Sequence, residues 1–247
     1  GAAQANEGLN RRDKAGDYYR RLLEISPTNA SAAAFFKDVT GPLVPMPLHT
    51  GRFRERGYDQ ATLLAVELGA VLKTVDFGAS WNRVLPEKDQ AWNDIFFVGQ
   101  NGWLVGEFGQ IQRTTDGGQS WSPVSSPVKN SLMSVHFRDA RHGVAVGLAG
   151  TVLVSADGGA SWQEAPPLTR EHLNCVIWDG AQWVAVGDKG MRVQAGAEAN
   201  DWKAGRISDK DLSWRTQVVR TADDFVLAGA NLAVLHKDEL RILGRDE

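Results

Sequence analysis

Three carboxylates recur along the chain in identical company: Asp76, Asp116 and Asp157. Each sits in the form Ser/Thr-x-Asp-x-Gly-x-x-Trp. The copies are Thr74, Asp76, Gly78 and Trp81; Thr114, Asp116, Gly118 and Trp121; and Ser155, Asp157, Gly159 and Trp162. An isolated carboxylate in a glycine-rich turn suggests two chemistries, acid/base catalysis and calcium binding. One carboxylate per turn is too few oxygen ligands for a calcium cage. The residue types suit a structural clip better. A short Asp accepts backbone N–H groups across a tight turn, and the hydroxyl adds a further local bond. Gly supplies a positive φ, and Trp is the first large apolar group of the strand that follows.

The remaining chemistry-bearing residues form no constellation. Cys175 is the only cysteine, so neither an intrachain disulfide nor a thiolate metal cluster exists. It lies in the apolar run Asn174 to Trp178, as a small buried hydrophobe does. His136 alternates with Val135 and Phe137 and faces solvent or a neighbour, His142 precedes a Gly turn, and His172 sits in a loop beside Glu171. Their spacing makes no metal set. No catalytic residue, metal or cofactor is expected.

The elements that must position these residues are set by the repeat. The clip tryptophans are 40 and 41 residues apart, and a further 40 leads to Trp202, where Ala197 stands in the Asp position. Gly69, Gly109, Gly150 and Gly190 each precede those tryptophans by 12 residues. Two landmarks in phase define a repeat protein. Each full unit holds four short apolar runs: 92–97, 103–106, 111–114 and 121–124; 132–137, 144–147, 152–155 and 162–165; 173–178, 183–187, 191–194 and 202–204; 214–219, 225–229, 232–236 and 239–243. The first unit is partial, with 62–66, 71–74 and 81–84. Four strands per roughly 40 residues is the blade of an all-β propeller. The clips join third to fourth strands. The Val-Gly-x-x-Gly turns join second to third strands, at the opposite end.

The expected organisation is a disordered or helical segment over 1–40, a linker or degenerate blade over 41–61, and the propeller over 62–247. Within the first segment, 11–25 reads as an amphipathic helix ended by Pro27, and 30–37 as a second short one. Hydrophobic content of 43%, charged content of 23% and a net charge of −3 are those of an ordinary globular chain and argue against nucleic acid as partner. No run approaches the roughly 18 apolar residues of a membrane span.

Two resemblances add to this reading. Pro42 to His49, then Arg52, Arg54 and Arg56-Gly57-Tyr58-Asp59-Gln60, resemble the competence-protein F type phosphoribosyltransferases. That family's phosphate-cradling loop is missing, since Asp223-Asp224 is followed by Phe225-Val226-Leu227, and no transferase activity is expected. The repeats, Gly102-Trp103-Leu104-Val105-Gly106 and Thr114 to Trp121, resemble bacterial-neuraminidase-repeat (Asp-box) propellers, most closely the photosystem II stability and assembly factor-like family. That resemblance covers about 62–243. It implies a non-enzymatic scaffold outside the cytoplasm, in periplasm or lumen, that holds a protein partner during assembly of a membrane complex. It also implies a seven-bladed ring, whereas four repeats and one partial are present. The chain then closes as a smaller ring, recruits 40–61, or completes itself with a second copy.

Propeller recognition lies in loops held by rigid blades. The candidate binding residues are therefore those of the Val-Gly-x-x-Gly end and the inter-blade loops: Glu107, Phe108, Leu148, Arg170, His172 and Lys189. The enzyme alternative is a glycosidase or sialidase-like carbohydrate-binding propeller. A sialidase needs a Tyr nucleophile, and no Tyr follows Tyr58. A mosaic repeat chain without activity of its own is the third reading.

Overall fold

The computed structural model describes residues 63–67, 70–74, 80–86 and 89–244. The helices expected over 11–25 and 30–37, the transferase-like segment up to residue 62, and Asp76 and Gly78 of the first clip lie outside the described residues. The chain divides into two compact units, Gly1–Lys88 and Asp89–Glu247.

The first unit contains an antiparallel sheet of β1 (Leu63–Glu67), β2 (Ala70–Thr74) and β3 (Asn82–Leu85), in that order. Val71 and Thr74 of β2 are buried. Trp81 stands immediately before β3.

The second unit is four antiparallel blades, each running in chain order from inner to outer strand. They are β4 (Trp92–Val98), β5 (Asn101–Gly106), β6 (Ile111–Thr114) and β7 (Ser122–Val124); then β8 (Leu132–Phe137), β9 (Gly143–Gly147), β10 (Val152–Ser155) and β11 (Gln163–Glu164). The third holds β12 (Leu173–Trp178), β13 (Trp183–Gly187), β14 (Met191–Ala195) and β15 (Lys203–Arg206). The fourth holds β16 (Arg215–Arg220), β17 (Asp224–Gly229), β18 (Ala233–His236) and β19 (Glu239–Ile242). First strands pack on first strands, β4 on β8, β8 on β12 and β12 on β16. The protein is an all-β propeller of repeated four-stranded blades. One detail departs from expectation: Trp121, Trp162 and Trp202 stand one residue ahead of β7, β11 and β15 rather than within them.

The apolar runs are continuous because inner strands are covered on both faces. Every residue of β9 and of β13 is buried. Accordingly the core is a series of layers between blades. One joins Trp103, Ile111, Phe137 and Leu153. The next joins Val144, Val152, Val176 and Trp183. The last joins Cys175, Val186, Val218 and Leu227. His136 belongs to this packing, its ring 4.1 Å from that of Phe96 and edge-on to Trp183 at 6.2 Å.

In the second unit each blade's first strand carries a β-bulge at the same place, after Trp92, Leu132, Leu173 and Arg215. The first strand is also a sheet edge, so alternate N–H groups beyond the bulge face away from their own ladder, and the preceding blade supplies a partner for one of them. Asp94 Oδ2 accepts the Val135 N–H at 2.9 Å, and Ser134 Oγ accepts the Val176 N–H at 3.2 Å. The Cys175 thiol reaches Gln217 Oε1 at 3.6 Å. Asn93 and Asn174 donate across the same seams, to the carbonyls of Leu132 and Arg215, at 2.8 and 3.0 Å. Blades are thus latched by polar groups at one register and sealed by apolar ones on either side.

Candidate functional site

The two ends of the blades have different chemistry. At the clip end, Asp116 Oδ1 accepts the N–H groups of Gln119 and Ser120, at 2.9 and 3.0 Å, and the Thr114 hydroxyl at 2.7 Å. Thr114 Oγ1 in turn accepts the Gly118 N–H at 3.0 Å. Asp157 repeats the arrangement, taking the Ser161 N–H at 3.0 Å and the hydroxyls of Ser155 and Ser161 at 2.8 and 2.6 Å. Ser155 Oγ accepts the Gly159 N–H at 2.9 Å. Gly118 and Gly159 adopt φ of 79° and 78°, a region costly for a residue with a Cβ. The hydrogen bonds from Ser120 hold the Asp116 carboxyl well below its usual range. At Asp157 desolvation opposes the shift, but the Ser161 bonds outweigh it and lower the carboxyl to about 2. Both carboxylates are committed to their own turns.

Two other titratable groups of the second unit are built into sheets. Burial raises Asp94 to about 6, against the hydrogen bonds it accepts from Val135, Ser134 and Ile95. Burial likewise pushes the Cys175 thiol up to about 12, which removes the thiolate needed for nucleophilic chemistry. Among the described residues no group of three or more His, Cys, Asp or Glu side chains is placed to hold a metal ion, and no helix is long and apolar enough to cross a membrane.

The opposite end is built from three matching turns, Glu107–Gly109, Leu148–Gly150 and Asp188–Gly190. Phe108, Ala149 and Lys189 take φ of 55°, 56° and 51°, and the glycine after each is also positive. Two successive left-handed residues make the type I′ geometry that suits the twist of a hairpin. The glycines have a second reason. A Cβ on Gly109 would meet the Val128 carbonyl at 2.2 Å, and one on Gly150 the Thr169 carbonyl at 2.1 Å. Each turn is tucked against the loop entering the next blade.

The candidate residues occupy this end across three consecutive blades. Phe108 is 63% exposed, and its N–H reaches Ser131 Oγ at 3.4 Å. Glu107 is partly engaged, its carboxylate accepting the Ala91 N–H at 3.0 Å. Leu148 is half-buried, and Arg170 is exposed. His172 Nδ1 accepts the Ala149 N–H at 3.0 Å, so the other ring nitrogen carries the proton in the neutral form. Lys189 Nζ lies 3.2 Å from Glu171, and Arg206 joins the same carboxylate at 3.8 Å. Sequence reasoning missed Glu171 and Arg206. Glu171 lies between two named residues, but only the folding of the third blade brings both cations to the loop that enters it. The six candidates form a row of rigid tips rather than one pocket.

Comparison with known proteins fits this architecture. The family model for the BNR/Asp-box repeat matches residues 112–123. The photosystem II stability/assembly factor HCF136 of Arabidopsis thaliana chloroplasts is 30% identical over 73 residues, 26% of this chain and only 18% of that protein. Among solved structures, YCF48 bound to a D1 peptide superposes with a TM-score of 0.59 at 20% identity, covering 75% of this chain and 66% of that one. YCF48 from Cyanidioschyzon merolae gives 0.59 at 16% identity, over 75% and 69% of the two chains. An ancestral GH74 enzyme gives 0.60 at 16%, over 75% and 30%. The transferase resemblance of residues 42–73 finds no support among these relatives. The chain is a β-propeller carrying Asp-box repeats, similar in fold to the YCF48 propellers and, over part of its sequence, to HCF136.

Proposed function

We propose that the protein is a non-enzymatic scaffold that holds a polypeptide partner at the end of the blades bearing Phe108, Leu148 and Lys189. The observation that carries this reading is Phe108 itself. A large apolar side chain, 63% exposed, stands on a backbone pinned at φ 55° by the turn bond from the Gln110 N–H to the Glu107 carbonyl. A pre-ordered aromatic loses little conformational entropy on binding. Two blades further on, Arg170, His172 and the Lys189–Glu171–Arg206 group add polar side chains at the same end. The likeness to a YCF48 solved with a D1 peptide, and to HCF136, named for photosystem II stability and assembly, supports a polypeptide ligand and an assembly role.

The test is a photo-crosslinking amino acid placed at Phe108 and, separately, at Gln119 on the clip end, in the native cells. A crosslink to one discrete protein from position 108 and none from 119 is expected. Crosslinking from 119 alone would overturn the reading.

The glycosidase reading draws on the fold likeness to the GH74 enzymes. Its nearest candidate acid is Asp94, whose raised pKa resembles that of a general acid. That carboxyl is instead occupied with the Val135 and Ile95 N–H groups, at 2.9 and 2.8 Å. Release of reducing sugar from xyloglucan, lost on Asp94→Asn, would restore this alternative.

A further inference from the structure

The loop that enters the fourth blade differs in chemistry from the loops that enter the second and third. Counted back from the bulge residues Leu132, Leu173 and Arg215, Leu212 holds the place of Lys129 and Arg170, and Trp214 that of Ser131 and His172. Lys129, Arg170 and His172 are exposed and Ser131 is half-buried, although a further blade follows in each case. These are surface positions even with a blade on the far side. There Leu212 is 56% and Trp214 48% exposed. A polar pair in two loops has become a large apolar pair in the next.

The pair is also held still. Arg215 stands where Leu132 and Leu173 are aliphatic, and it is buried. Its guanidinium donates to Asp211 Oδ2 and, at 3.1 and 2.6 Å, to the backbone and side-chain oxygens of Asn231. Asp211 Oδ1 accepts the Ser213 N–H at 2.9 Å, and Asn231 Nδ2 donates to Ser213 Oγ at 3.4 Å. The Ser213 carbonyl accepts the Gly190 N–H at 2.9 Å. Ser213 is thus tied to the body of the blades, with Leu212 and Trp214 exposed on either side of it. The Trp214 carbonyl accepts the Ala230 N–H at 3.1 Å, as that of Ala91 accepts the Glu107 N–H at 3.0 Å, so the loop lies at the Phe108 end. A buried ion pair seldom adds stability over an apolar residue in the same place. What this one adds is a loop fastened from beneath.

Charge decides the occupant. Arg215 is balanced by Asp211, and on the adjoining turn Lys189 shares Glu171 with Arg206. A surround of balanced charge suits an apolar group rather than an anion. A tryptophan alone suits a sugar, but Leu212 offers neither a stacking ring nor a hydrogen bond. We infer that Leu212 and Trp214 form a second anchor, which takes a bulky apolar side chain of the polypeptide partner. The inference rests on the reading that such a partner docks at this end, and it adds a contact three blades on from Phe108. Exposed tryptophan on a rigid support is the residue type that dominates binding energy at interfaces.

Short random peptides displayed on phage and selected on the full chain test this. Leu212→Lys and Trp214→Ser place the second blade's own residues in the loop, so both variants should keep the parent's urea unfolding curve. A class of selected peptides should carry a bulky apolar residue and, by fluorescence anisotropy, bind either variant about tenfold more weakly or worse. Changing that peptide residue to Ala should weaken binding to the parent chain and make little further difference to Trp214→Ser. If no selected peptide is weakened by either variant, and binding is lost only with Phe108→Ser, the inference falls and the scaffold reading stands. Failure to select any peptide would remove both. Binding of a xyloglucan oligosaccharide that is lost with Trp214→Ser would assign the loop to a sugar and likewise overturn the inference.

Discussion

The clips at Asp116 and Asp157 and the turn at Ala195–Trp202 occupy the same place in consecutive blades, yet only the first two keep the motif. In the third, Ala195, Ala197 and Ala199 replace the hydroxyl, the carboxylate and the glycine. The backbone nevertheless turns alike. Ala199 takes φ 51° where Gly159 has 78°. A carboxylate still closes the loop, but from the other side, with Asp201 Oδ1 accepting the Gly196 N–H at 2.8 Å. Trp202 is retained and packs against the apolar layer between its own blade and the preceding one. The shape of the turn is thus imposed by the strands it joins and by the tryptophan. The polar set is one of several ways to satisfy the turn's N–H groups. The glycine is governed by a neighbour. A Cβ on Gly159 would meet Trp103 Nε1 at 2.2 Å, in the seam where that indole donates to Gly158 and stacks on Phe137 at 3.4 Å. Ala199 instead buries its methyl in the apolar layer shared by its own blade and the preceding one.

The largest expected effect falls on the shared element. Trp162 is buried and edge-on to Phe137 at 5.7 Å, so Trp162→Ala should cost about 3–5 kcal/mol in urea unfolding. Trp202 is only partly buried, and Trp202→Ala should cost less. Equal losses would break the argument that clip and substitute differ in how deeply they are anchored.

Next come the carboxylates. Asp157→Ala removes an acceptor of three hydrogen bonds and should cost about 1–2 kcal/mol; Asp201→Ala removes one and should cost about 1 kcal/mol or less. Their acid limb separates them further. The Asp157 carboxyl is lowered to about 2 from an ordinary 3.8, so its contribution is present above about 4 and lost as pH falls towards 2. Asp157→Asn should flatten that part of the stability curve. Asp94 works in the opposite sense. Raised to about 6 from 3.8, it favours the native state while protonated, so stability declines as pH rises from about 4 to 6. Asp94→Asn should remove that decline.

The smallest effect sharpens the comparison most. Ala199→Gly relieves a left-handed alanine and should stabilise by about 0.5–1 kcal/mol, offset in part by the entropy of glycine and the lost methyl contact. A destabilisation of that size instead would mean the methyl's packing outweighs backbone strain.

Much of the fold was legible in the residues. Four apolar runs per repeat coincide with β4–β19 to within one or two residues at most ends, because a strand covered on both faces must be apolar throughout. The phase of Gly109, Gly150 and Gly190 marks turns where loop carbonyls leave no room for a Cβ. The site was less legible. That Phe108 projects while Glu107 folds back on Ala91, or that Glu171 gathers Lys189 and Arg206, depends on how the loop entering a blade lies against that blade's own turns and outer strand, over 16 to 35 residues of chain. The latches from Asp94 and Ser134 carry no local signature, since each joins residues 41 or 42 positions apart.

The sequence by itself determined the repeat, the strand positions and the turn chemistry, because hydrogen bonding within a hairpin and the two-residue period of a strand are short-range. Only the tertiary structure decided which Asp is a clip and which a latch, and which charged side chains gather at the blade ends. Those outcomes depend on desolvation by the neighbouring blade, and in a chain of near-identical repeats the neighbour is what differs.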